Sequence, residues 1–134
     1  MKKLMIAGAA GVMALGSALA VAQGQDAPAE GLSCAGKVVT FRYSEIKPGK
    51  LDAFKKAVAA HGAWYAANKN GTKVNLVRMM KREGGKLAYD DSAAMTMVVY
   101  DPRPQPSRDA AYTAFVKAYR DSSTVKEEHR GCLG

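Results

Sequence analysis

The first strongly patterned segment of the chain, residues 37–46, alternates between apolar and polar positions. A period of two residues predicts a β-strand whose two faces differ. One face carries Val39, Phe41 and Tyr43. The other carries Thr40, Arg42 and Ser44. Lys47-Pro-Gly-Lys50 follows, and this composition predicts a turn.

A period of three to four residues then predicts a helix over residues 51–68. Its apolar face comprises Leu51, Phe54, Val58, His61 and Tyr65. A second helix is predicted after the proline-rich connector 101–106, with Ser107 as its N-cap. The predicted buried face of that helix comprises Ala111, Tyr112, Phe115, Val116 and Tyr119.

Two further apolar segments predict strands over residues 73–82 and 94–100. The second of these is almost continuously apolar, which is typical of a strand in the middle of a sheet. Residues 87–92 between them are predicted to form a partly ordered loop. Thr124-Val-Lys-Glu127 matches a capping box, so a short final helix ending at Gly131 is expected instead of a further strand.

The order strand, helix, strand, strand, helix predicts an α+β fold of the ferredoxin-like, split β-α-β type, with an antiparallel sheet covered by helices. The chain has two cysteines, Cys34 and Cys132. In an oxidising compartment such an isolated pair favours a disulfide, which would join the two ends of the domain. Metal-binding or redox thiols are the alternative, although the C-x-x-C spacing of redox pairs is absent.

The first residues have the features of a cleavable export signal. Lys2 and Lys3 precede an apolar run over residues 4–15, and Ala20-Val-Ala22 is a cleavage pattern, with cleavage after Ala20 as a second option. The expected organisation is a signal peptide over residues 1–22, a flexible leader over 23–36 and a single domain over 37–134. This predicts a periplasmic or secreted protein with no membrane span after cleavage; an uncleaved anchor is the alternative.

The net charge of +8, or +6 without the two lysines of the predicted signal peptide, favours anionic partners such as acidic ligands or lipid headgroups. A solvated basic surface without such a partner is the alternative. Nucleic acid is not expected, because the basic residues are scattered without interleaved aromatic residues. The sequence also lacks a Ser-His-Asp signature, a phosphate-binding loop and a dinucleotide fingerprint, which disfavours hydrolase and nucleotide-dependent chemistry.

Residues 37–121 resemble the dimeric α/β-barrel superfamily, which includes antibiotic-biosynthesis-monooxygenase-like and NIPSNAP-like domains. The resemblance rests on Phe41-Arg-Tyr-Ser-Glu-Ile-Lys-Pro-Gly-Lys50 running into the helix that begins Leu51-Asp-Ala-Phe54, on Trp64 in that helix, and on Val98-Val-Tyr-Asp101. It implies a homodimer, and it permits oxygenase chemistry that needs no metal or flavin. No cofactor is therefore predicted.

The candidate site lies on the last turns of the first helix. His61, Tyr65 and Asn68 are the candidate catalytic residues, with His61 as base or ligand and the other two positioning a substrate. Trp64, Arg42 and Arg78 are the candidate ligand-binding residues, the two arginines for a carboxylate or oxyanion. The competing interpretation places His61 and Tyr65 in the core and the arginines on a solvated sheet face.

The predicted function is the binding of a small apolar or aromatic anionic molecule, with monooxygenase-like catalysis as one possibility. The alternatives are a non-catalytic binding or envelope-stress protein and a copper-handling module. The copper alternative uses the thioethers of Met79, Met80, Met95 and Met97, which also suit a core. His129 is interpreted as a surface residue.

Overall fold

A four-stranded antiparallel sheet forms the framework of the molecule, with strand order β2-β3-β1-β4. The computed structural model describes residues 33–134. Its elements in chain order are β1 (Lys37–Ile46), α1 (Leu51–Ala67), β2 (Lys73–Glu83), β3 (Lys86–Val99), α2 (Ala110–Ser122) and β4 (Ser123–Leu133). The predicted signal peptide and most of the predicted leader lie outside the described residues.

This order of elements and strands is that of a ferredoxin-like fold, so the predicted α+β class is confirmed. α1, β1 and β2 form within a few residues of their predicted positions, whereas β3 begins at Lys86 instead of Ala94. β3 lies between β2 and β1, as its continuous apolar run predicted.

Both helices pack on the same face of the sheet, and that face of β1 is the polar one. Thr40, Arg42 and Ser44 are buried beneath the helices. Phe41 and Tyr43 lie on the opposite face, where they are half-buried. The predicted alternation is therefore correct, but the interpretation that Arg42 lies on a solvated face is wrong for this residue.

Aromatic side chains fill the space between the two helices. Phe115 of α2 contacts His61 and Trp64 of α1, with ring centroids 4.5 and 5.6 Å apart. The buried core set from the helices is Phe54, Ala57, Val58, Trp64, Tyr65, Tyr112, Phe115 and Tyr119. Burial of these large side chains supplies much of the apolar stabilisation of the fold. Ala111, predicted to be buried, is exposed.

The prediction of a final helix is wrong, because Ser123–Leu133 forms β4. β4 pairs antiparallel with β1 along its whole length, from Ile46 opposite Ser123 to Lys37 opposite Leu133. A capping box stabilises a helix end only locally. The ladder with β1 instead pairs the backbone groups of β4 that point towards β1, with one irregularity in the register between Tyr43 and Ser44.

Two smaller predictions also need correction. Residues 87–92 belong to β3 instead of a loop, and an irregularity in the β2–β3 register accommodates the polar residues that suggested a loop. The N-cap of α2 is Asp109 instead of Ser107, and its carboxylate accepts a hydrogen bond of 2.9 Å from the backbone N–H of Tyr112.

The predicted disulfide between Cys34 and Cys132 is present, with the two Cα atoms 5.7 Å apart. It joins the segment before β1 to the end of β4. The backbone approaches closely here, since a Cβ atom on Gly36 would lie 1.5 Å from the carbonyl oxygen of Leu133. Only glycine fits at this position.

We expect reduction of the disulfide, or the change Cys34→Ser with Cys132→Ser, to lower the free energy of unfolding by about 4 kcal/mol, because the bond closes a loop of 98 residues. Urea unfolding of the oxidised and reduced protein measures this difference. Reduction of the double variant is the control and should change nothing. An unchanged urea midpoint on reduction of the natural protein would contradict the prediction.

Candidate functional site

Polar side chains surround a small cavity between the sheet and the helices. The cavity has a volume of about 10 Å³, room for about one water molecule. Its walls are formed by Arg42, Ser44, Phe54, His61, Thr96, Tyr119 and Val125. The fold therefore brings two predicted site residues, Arg42 and His61, to one buried location.

His61 lies at the centre of the aromatic cluster and is 2% exposed. Its Nδ1 atom shares a hydrogen bond of 3.0 Å with the phenol oxygen of Tyr119, whose direction depends on the tautomer. Its ring stacks on Phe115 at an interplanar angle of 18°. These contacts fix the imidazole in one orientation.

The environment keeps His61 uncharged. Burial and then the positive charge of Arg42 lower the pKa of His61 to about 3. Burial also raises the pKa of Tyr119, although the charge of Arg42 acts in the opposite direction. A neutral imidazole and a neutral phenol therefore face each other at any physiological pH.

Arg42 is 5% exposed and forms an ion pair with Glu128, with Nε 2.7 Å from a carboxylate oxygen. The two residues are direct partners in the β1–β4 ladder. A buried guanidinium is costly unless it is paired and hydrogen-bonded. The carboxylate of Glu128 on β4 therefore offsets the cost of burying Arg42 under the helices. The sequence did not indicate this ion pair, because β4 itself was not predicted.

A larger apolar groove lies between the two helices, with a volume of about 560 Å³. Its lining includes the alanine side chains of Ala57, Ala60, Ala63, Ala67, Ala111, Ala114 and Ala118. Trp64 and Phe115 also line it, while Lys56, Asn68 and Asp109 contribute polar groups. The small side chains that recur along one face of each helix leave this space open. Their spacing in the sequence is the only signal that could have indicated the groove.

Three predicted site residues lie around one end of α1 but have different roles. Trp64 Nε1 donates a hydrogen bond of 3.0 Å to Asp109, and Tyr65 Oη donates one of 2.7 Å to Gln105. Asn68 is exposed, and its Nδ2 donates to the backbone carbonyl oxygen of Trp64. Trp64 and Asn68 line the groove, whereas Tyr65 is fully buried.

Arg78 lies on β2, away from the other candidates. It forms an ion pair of 2.6 Å with Asp91 and lies over the ring of Tyr89, 4.3 Å from its centroid. The structure therefore does not bring Arg78 together with His61, either at the cavity or at the groove.

The methionines of the copper alternative are only partly brought together. Met95 and Met97 share the face of β3 that is turned away from the helices. Met80 lies in the part of β2 that pairs with Tyr89, beyond the irregularity in the ladder. Within residues 33–134, no three His, Cys, Asp or Glu side chains are grouped so that they could hold a metal ion.

Comparison with known proteins adds no family assignment. Neither the scan against protein-family models nor the search of curated protein sequences finds a match. Among the described residues, no helix has both the length and the apolar character needed to cross a membrane.

The lowered pKa of His61 predicts how stability depends on pH. The unfolded state gains a proton on this histidine near pH 6.5, whereas the folded state does so only near 3. The contribution of neutral His61 to the free energy of unfolding is therefore fully present above pH 6.5. It decreases by about 1.4 kcal/mol for each pH unit as the pH falls from 6.5 towards 3.

Urea unfolding at pH 7.5 and pH 5.0 tests this prediction, because most carboxyl groups titrate below this interval. We expect the natural protein to lose about 2 kcal/mol between the two values. The variant His61→Phe, which retains an aromatic ring against Phe115, should show a smaller pH dependence whatever its absolute stability. An equal slope in both proteins would show that His61 is not the group responsible.

Proposed function

We propose that this chain is an exported protein that binds a small apolar or aromatic molecule in the groove between α1 and α2. The observation that carries the proposal is the groove itself: its volume of about 560 Å³ falls within the range of small-molecule sites. Its walls are mostly apolar, and a few polar groups at its ends can orient a ligand.

The polar groups suggest an elongated ligand with an acidic end. α1 and α2 run antiparallel, so Lys56 and Ala118 mark one end of the groove, and Asn68 and Asp109 mark the other. Lys56 supplies a positive charge at its own end. The carboxylate of Asp109 repels an anion at the opposite end. An apolar body with a carboxylate or sulfonate directed towards Lys56 fits this distribution.

Of the two functional alternatives on this scaffold, binding without catalysis has the better support. A general base works best with a pKa near the operating pH, and the pKa of His61 is about 3. The cavity beside His61 has room for about one water molecule but not for an organic substrate. Monooxygenase-like turnover through His61 would require this site to open.

Substitution of a groove alanine tests the proposal. The sulfonate dye 8-anilinonaphthalene-1-sulfonate is an aromatic anion, and energy transfer from Trp64, the single tryptophan, reports its binding. Ala60→Phe places a ring in the groove, so we expect the affinity to fall about tenfold or more.

Ala59→Phe is the matched control, because Ala59 is an exposed neighbour on α1 that does not line the groove. It should bind the dye within about twofold of the natural protein. Equal binding by all three proteins would place the dye elsewhere and refute the groove as the site.

We further propose that the chain forms a homodimer through the sheet face opposite the helices. Phe41, Tyr43, Met95 and Met97 lie on this face and are half-buried, and Val77 beside them is 40% exposed. The uncovered face of an antiparallel sheet is usually polar. An extended apolar face instead favours association, and a second copy offers a surface of the same kind.

The change Met97→Glu should convert a dimer to a monomer, because it places a charge in the middle of this face. Sedimentation velocity at several protein concentrations measures the outcome. Met80→Glu is the control, since Met80 is exposed on a different part of β2. A natural protein that is monomeric at all concentrations would rule out the dimer.

A further inference from the structure

The β2–β3 hairpin extends beyond the rest of the sheet. β1 pairs with β3 only as far as Ala93. β2 and β3 continue to pair with each other, from Met80 opposite Tyr89 to Glu83 opposite Lys86. We call residues 79–92 the hairpin arm. In the described part of the chain, no third strand pairs with this two-stranded ribbon.

One side of the hairpin arm is apolar. Met80 is the cross-strand partner of Tyr89, and Leu87 lies two residues from Tyr89 on the same strand, so the three side chains share a side. Their exposed fractions are 51% for Met80, 59% for Leu87 and 60% for Tyr89. Three large apolar side chains are thus exposed together on a protruding ribbon, and such patches mark contact sites.

The end of the hairpin arm is also basic. Lys81, Arg82 and Lys86 lie around the turn. Arg82, the cross-strand partner of Leu87, shares the apolar side, whereas Lys81 and Lys86 lie on the other side of the ribbon. Glu83 is the one acidic residue among residues 79–87, and it pairs with Lys81 at 3.1 Å. The tip of the hairpin arm, residues 81–87, therefore carries a net charge of +2, and Asp90 and Asp91 near its base offset this charge over the whole arm.

We propose that the hairpin arm binds the surface of an anionic lipid bilayer, inserting Leu87 and Met80 below the headgroups and Tyr89 at their level. Tyrosine is favoured at the membrane–water interface. Lysine and arginine side chains bury their apolar stems while their charges reach the headgroup phosphates, and anionic lipids attract them. This proposal is independent of the groove and of the sheet face that we assign to the dimer.

The shape of the hairpin arm favours a bilayer over a protein partner. A narrow ribbon with protruding side chains needs a matching concavity in a protein, since protein interfaces are closely complementary in shape. A bilayer admits protruding apolar groups without a preformed pocket, and its affinity depends on buried apolar area plus attraction between opposite charges.

Vesicle co-sedimentation tests the proposal with the full chain expressed with its own signal segment and purified from the export compartment. Vesicles contain phosphatidylcholine alone or with 30% phosphatidylglycerol. We expect binding to the anionic vesicles that weakens as salt increases. Leu87→Asp should reduce this binding at least tenfold.

Leu133→Asp is the matched control. Leu133 is also an exposed leucine, at 48%, but it lies at the opposite end of the sheet, where it pairs with Lys37. The change in charge is the same, so its binding should stay within about twofold of the natural protein. An equal loss of vesicle binding in both variants would show that only the net charge of the protein matters. It would overturn the proposed insertion of the hairpin arm.

A depth measurement separates insertion from surface attraction. Leu87→Trp adds an indole on the hairpin arm, and lipids brominated on their acyl chains should quench its emission beyond any quenching of Trp64 alone. Absence of this additional quenching would overturn the proposal. So would a natural dimer that Leu87→Asp converts to a monomer, since the hairpin arm would then contact a second copy.

Discussion

The pairing of β1 with two neighbours is the constraint on which the rest of the structure depends. β3 and β4 both pair with β1 along nearly its whole length. Because side chains alternate along a strand, this pairing fixes Thr40, Arg42 and Ser44 under the helices. The same register places Glu128 opposite Arg42, so the charge that β1 buries meets its counter-charge from β4.

The helices bury apolar surface mainly against each other, because the strand face beneath them is partly polar. Phe115 contacts His61 and Trp64 across the helix pair. Hydrogen bonds from Trp64 to Asp109 and from Tyr65 to Gln105 fix α1 against the connector and α2. The large aromatic side chains point inward, whereas most of the groove alanines are exposed. The groove is a consequence of this division.

Sequence periodicity was sufficient for the elements whose structure is determined locally. It could not predict β4, whose capping-box residues from Thr124 favour a helix until the ladder with β1 is considered. It predicted two different faces of β1 but contains no information on which face the helices cover. His61 and Arg42 were therefore identified as candidates, whereas their partners Tyr119 and Glu128 were not, because those contacts join residues far apart in the chain.

Phe115 links the groove to the surroundings of the small polar cavity. One surface of the residue lines the groove, while its ring stacks on His61 beside the polar cavity. Interiors this closely packed transmit displacements, since there is little free volume to absorb them. A ligand that shifts Phe115 must therefore change the surroundings of His61, and through the shared hydrogen bond those of Tyr119. The buried histidine is better placed to respond to occupancy of the groove than to act on a substrate.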